Sequence, residues 1–211
     1  MWNCKFAGLL YTPSTGRRCM ARAARDLILR DRLQFPVDGS GNTDLVYGRV
    51  DLSDFVNIVK KEGMAIKEIR YQLRAPSEPN GVLMPTLSDT VGGAPLQSSI
   101  KVFATTTAYE NAADVGLASP DVINLLEMTT TLIPAASGVV AQAKNQWTHY
   151  GTPDLHPEGY NVVSDLLIGV ACSLVGEHIG DTLEIDIMVI GEPIKLNEAD
   201  MTEMLTQQQD L

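Results

Sequence analysis

The stretch "DTLEIDIMVI" (181–190) constrains this chain more than any other. Leu183, Ile185, Ile187 and Val189 alternate strictly with Glu184, Asp186, Met188 and Ile190. A period of two puts one row on each face of a pleated strand, and no helix offers the first row a common face. The same alternation recurs elsewhere. In "IKEIRYQL", Ile69, Tyr71 and Leu73 alternate with Glu68, Arg70 and Gln72, and in "SIKVFATTT", Ile100, Val102 and Ala104 share a face. The threonines that follow favour strand as well.

Between the runs stands turn chemistry: "GSGNTD", "EPNG", "VGGAP" and "GTPDLHPEG". The combination predicts about eight strands, near 44–51, 54–60, 64–74, 98–107, 122–133, 138–147, 161–174 and 181–191. "DVINLLEM" within 122–133 equally fits the start of a short helix. Pro193 is expected to end the last strand or mark an edge. No helical periods alternate with the strands, which argues against a parallel α/β fold.

Two segments are expected to be helical. Met20–Leu33 is rich in alanine, leucine and arginine, all strong helix formers. As a helix it gathers Arg18, Arg22, Arg25 and Arg32 into roughly 80° of arc with Leu29, opposite Met20, Ala24, Leu27 and Asp31. Residues 197–209 form the second, with Asn197 as N-cap and Glu198, Asp200 and Glu203 near the positive end of the dipole. Met201, Met204 and Leu205 give it a short apolar stripe, which must dock to hold the helix. The expected organisation is therefore an N-terminal arm and helix over 1–36, a β body over 37–196, and a C-terminal helix over 197–211.

Charge is divided unevenly. Residues 1–32 carry seven basic side chains against Asp26 and Asp31, a net of +5, whereas residues 33–211 carry nine basic against 24 acidic, a net of -15. Such asymmetry points to a basic segment with its own acidic partner. Nucleic acid fits, with Arg17, Arg18, Arg22, Arg25, Arg30 and Arg32 as the contact residues. A plain solvated face and an import presequence are the competing readings of the same arginines; Asp26, Asp31 and the scarcity of serine count against a presequence.

Catalytic motifs are missing. "GSGNTD" lacks the P-loop lysine, and no G-x-S-x-G occurs. His149, Asp154, His156 and Glu158 fall within ten residues, but six residues separate the two histidines and Pro157 stiffens the loop, unlike the H-x-H spacing of a cupin metal site. No metal and no cofactor are expected. Cys4, Cys19 and Cys172 are odd in number and include no C-x-x-C, and there is no N-x-[ST] sequon, which suits a reducing interior. The longest apolar run, Leu166–Gly176, is too short for a membrane helix. Two connections are long: 75–97 with Pro76, Pro79, Pro85 and Pro95, and 148–160. Loops of that length commonly carry interactions.

A basic N-terminal arm, eight strands with long loops and a docking C-terminal segment resemble the single jelly-roll capsid proteins of small icosahedral viruses. The resemblance covers the whole chain as an architecture. It implies an all-β, eight-stranded antiparallel jelly-roll sandwich, assembly with other copies of itself into a shell made in the host cell interior, and an arm turned toward the viral genome. The alternatives are a cellular β-sandwich binding module, with 75–97 and 148–160 as its ligand surface, and a cupin-like metalloenzyme using His149, His156 and Glu158.

Overall fold

A computed structural model describes residues 26–88, 96–134, 140–151 and 160–207. The strands are β1 (Leu27–Pro36), β2 (Thr43–Val50), β3 (Glu62–Arg74), β4 (Leu96–Thr105), β5 (Val122–Pro134), β6 (Val140–Tyr150), β7 (Tyr160–Val162), β8 (Leu166–Ser173) and β9 (Thr182–Lys195), followed by helix α1 (Glu198–Gln207). They form two antiparallel sheets, of order β1-β9-β3-β7 and β2-β8-β4-β5-β6. The pairing is nested: β1 with β9, β2 with β8, β3 with β7, and β4 with β5. A chain folded as one long hairpin and then rolled up gives this order, with β6 added beyond β5.

The faces follow the period of two. Leu183, Ile185, Ile187 and Val189 of β9 meet Ile66, Ile69 and Leu73 of β3 and Phe35 of β1. From the other sheet come Ile100 and Val102 of β4, Met128 of β5, and Ile168 and Val170 of β8, all in the same buried cluster. The molecule is a β-sandwich with that cluster between its layers. Residues 122–133, ambiguous in sequence, are strand.

Three expectations are corrected. Residues 27–33, read as the end of a basic helix, are strand β1, and residues 20–25 lie outside the described residues. The reason is pairing: ten residues of β1 run in register along β9, from Leu27 opposite Gly191 to Pro36 opposite Thr182, and this ladder overrides helix propensity. The run at 54–60 is not a strand. It forms turns in which Leu52 O accepts from Phe55 N and Val56 N, closed by mutual bonds between Asn57 and Glu62. The run at 161–174 is two strands, β7 and β8. The described residues thus contain nine strands rather than eight.

α1 is capped as expected, with Asp200 N donating to Asn197 Oδ1 at 2.8 Å. It docks through buried Met201, with Met204 and Leu205 half-buried. Of the 75–97 connection, the described part carries Leu83 and Leu87 into the core, and Leu87 N donates to Thr130 Oγ1.

The β1–β2 turn touches the β8–β9 turn through Gly41. Its carbonyl accepts from Val175 N at 2.7 Å. Its φ is +78°, and a Cβ there would stand 2.8 Å from Val175 N. Gly39, two residues away, has nothing within 4 Å of such a Cβ. Gly41→Ala is expected to cost about 2 kcal/mol, through left-handed strain and the backbone clash. Gly39→Ala should stay within about 0.5 kcal/mol. Urea melts of the two variants check this; equal costs would refute the account.

Candidate nucleic-acid interface

The outer face of the four-stranded sheet carries four of the five arginines among the described residues; the fifth, Arg49, is on β2 of the other sheet and pairs with Asp165. β1 contributes Ile28, Arg30, Arg32 and Gln34; β9, in the middle, contributes Glu184, Asp186, Met188 and Ile190; β3 contributes Glu68, Arg70, Gln72 and Arg74. The register sets them in rows: Gln34–Glu184–Arg74, Arg32–Asp186–Gln72, Arg30–Met188–Arg70 and Ile28–Ile190–Glu68. Four guanidinium groups thus share one face with three carboxylates. A shallow groove of about 670 Å³ runs along it, with Asp186 and Met188 on its floor and Arg30, Arg32 and Arg70 at its sides.

The arginines differ in what they are free to do. Arg32 Nε donates to Asp186 Oδ1 at 2.6 Å, and its Nη1 lies 3.6 Å from Glu184. The hydrogen bond to Asp186 raises the Arg32 pKa above its ordinary value. Arg70 is held by Glu68 at 2.6 Å, with the same effect. Arg74 Nη1 bridges Glu184 at 3.2 Å and Asp186 at 3.6 Å. Among the described residues, Arg30 has no ion-pair partner. Beside the row, Lys67 is held by Asp26 at 2.6 Å and Glu192 at 3.0 Å.

The structure therefore brings Arg30 and Arg32 together by strand alternation rather than on a helical stripe. Arg17, Arg18, Arg22 and Arg25 lie outside the described residues. Arg70 and Arg74 were not singled out from sequence. Their spacing of four within "IKEIRYQLR" would put them on one face, but only the pairing of β3 with β9 sets that face beside β1.

The two histidines among the described residues do not converge. His149 sits on β6, where its Nε2 lies 3.0 Å from Asn124 Oδ1 and its ring meets Tyr71 edge-on at 6.1 Å. His178 is buried near Asp181, with Nδ1 at 3.4 Å. Asp154, His156 and Glu158 lie outside the described residues. Among the described residues, no three His, Cys, Asp or Glu side chains are grouped to hold a metal ion. Nor is any helix among them long and apolar enough to cross a membrane.

No family model and no curated protein matches the chain. Among solved structures, it is similar to VP1 of Trichodysplasia spinulosa-associated polyomavirus, in a complex with sialylated glycooligomers, at 11% identity and a TM-score of 0.32, over 80% of this chain and 95% of that one.

Proposed function

We propose that this chain is a jelly-roll capsid protein: a structural virion protein that assembles with copies of itself into an icosahedral shell inside the host cell, its N-terminal arginines facing the packaged genome. The observation that carries the reading is the nested strand order. Two sheets of order β1-β9-β3-β7 and β2-β8-β4-β5-β6 support it, because the wrapping of a jelly roll would give this order with β6 added at one edge. Fold alone does not fix function, so the charge placement has to agree with it. Residues 1–25 hold Lys5, Arg17, Arg18, Arg22 and Arg25 and no acid, beside a body that is strongly acidic. A shell of many copies turns a weak contact by each segment into a strong sum. Arg30 continues the series onto β1, whereas Arg32 contributes only at the expense of its bond to Asp186.

Salt dependence tests it. Contacts to phosphate by Arg18, Arg22, Arg25 and Arg30 give single-stranded binding a log–log salt slope of about -3, at roughly -0.7 per phosphate. Changing Arg22 and Arg25 to glutamine should flatten the slope by about 1 to 1.5, with the thermal melt of the body unchanged. Electron micrographs of the expressed protein should show uniform particles. Unchanged binding in the double variant, or a strict monomer, overturns the reading.

A further inference from the structure

We propose that the free edge of β6 pairs with the β6 edge of a second copy, antiparallel about a twofold axis through Asn145, joining two five-stranded sheets into one of ten. The inference rests on the self-assembling reading above and names the surface it would use. β6 ends its sheet and hydrogen-bonds to β5 alone among the named strands. An edge strand leaves a row of unpaired N–H and C=O groups, and proteins usually block such edges with proline, bulges, shortness or charge. This edge is eleven residues long, contains no proline or glycine, and keeps an unbroken register from Gln142 to Tyr150. Its described side chains are exposed from Gln142 to Tyr150 except half-buried Thr148. Trp147 is 54% exposed.

Charge identifies a second copy as the occupant. Two molecules of net charge -10 repel over most of their surface. Residues 134–153 are a stretch of twenty without an aspartate or glutamate, in a body with 24. Lys144 is the only charge on the strand. A twofold axis perpendicular to the sheet keeps each face continuous, so paired residue numbers must add to an even sum. Centring on Asn145 pairs all eleven residues. It sets Trp147 against Ala143 and Tyr150 against Val140, large on small, and Lys144 against Gln146. Centring on Lys144 would place two ammonium groups opposite each other, which is destabilising.

Cysteine cross-linking of the full chain tests edge and register together. Directly opposed residues in an antiparallel pair have Cα atoms about 4.5–5.5 Å apart, within disulfide reach. Asn145→Cys should give a covalent dimer under mild oxidation, at least about tenfold more than wild type, with peptide mapping joining 145 to 145. Gln142→Cys and Thr148→Cys should each stay monomeric alone and cross-link when mixed. Trp147→Glu should weaken the dimer by about tenfold or more, as loss of a central aromatic contact does, with an unchanged melt. Higher assemblies without any of these links would overturn the edge and leave the capsid reading standing. Linked dimers that never form particles would support the edge and sink the shell. A monomer whose β6 amides resist hydrogen exchange would show the edge covered by its own chain, and would overturn the proposal.

Discussion

Phe103→Ala should lower the unfolding free energy by about 3–5 kcal/mol, among the largest effects of any single truncation in this chain. By alternation Phe103 belongs to the outward face of β4, yet it is fully buried. The ring lies over Gly169, its register partner on β8. Tyr47 of β2 meets it edge-on, with centroids 5.9 Å apart and planes at 89°. Leu125 and Val115 complete a second buried cluster. The segment after β4 closes over the ring and is tied down by Tyr47, whose hydroxyl accepts from Tyr109 N at 2.7 Å and donates to Tyr109 O at 3.1 Å. A Cβ at Gly169 would stand 2.7 Å from Phe103 Cε1 and Cε2 and closer still to Cζ. The ring has nowhere to go, so Gly169→Ala should cost about 1–3 kcal/mol by overpacking. The cause is specific to the ring. In a Phe103→Leu background the added methyl should cost less than half as much, and a double-mutant cycle in urea reads the difference. An equal cost in both backgrounds would show that the glycine serves some other end.

Phe103 also marks how far the sequence could be read. The alternation in "SIKVFATTT" correctly places Ile100, Val102 and Ala104 inward, and leaves Phe103 for solvent. Only the path of the chain after β4 buries it, and periodicity says nothing of a segment that folds back over a sheet. The four-stranded face was half legible for a related reason. Local pattern tells which residues share a face of their own strand. It does not tell which strand lies alongside. Arg32 and Asp186 are 154 positions apart, and Gln34 and Glu184 are 150 apart; their meeting depends on β9 running between β1 and β3. The misreading of 27–33 has the opposite origin. Leucine and arginine are good helix formers, and the alternation of Leu27, Leu29, Leu33 and Phe35 is broken by Asp31. Tertiary pairing decided the outcome. The turn at 54–60 likewise mimics a strand in composition, but Lys61 adopts a positive φ of 57° and the chain reverses there.

Arg74→Ala should cost about 3 kcal/mol, at the low end for breaking a buried ion pair from one side. Glu184 points outward from β9 but is only 7% exposed. Its carboxylate accepts from Gln34 Nε2 at 2.8 Å and from Arg74 Nη1 at 3.2 Å, with Arg32 Nη1 at 3.6 Å. Removing Arg74 leaves a desolvated charge with one amide and one distant, half-exposed cation. Arg70→Ala provides the contrast on the same face. Arg70 and Glu68 are 61% and 43% exposed, so their pair is screened by solvent, and its loss should cost far less than the loss of Arg74. Adding Glu184→Gln to Arg74→Ala removes the unpaired charge and should recover at least about 1 kcal/mol. High salt should erase the small Arg70 effect and leave most of the Arg74 effect, because a buried pair is screened much less. Equal costs for Arg70 and Arg74, or no recovery in the double variant, would mean that Glu184 is not the buried anchor of this face. The same network bears on the arginine series. With Arg74 gone, Arg32 is the remaining cation near both Glu184 and Asp186, so it is held more firmly to the protein. In the capsid reading, where Arg30 and the arm contact phosphate, the salt slope for single-stranded nucleic acid should then stay unchanged, and flattening by about 0.7 would put Arg74 itself among the phosphate contacts.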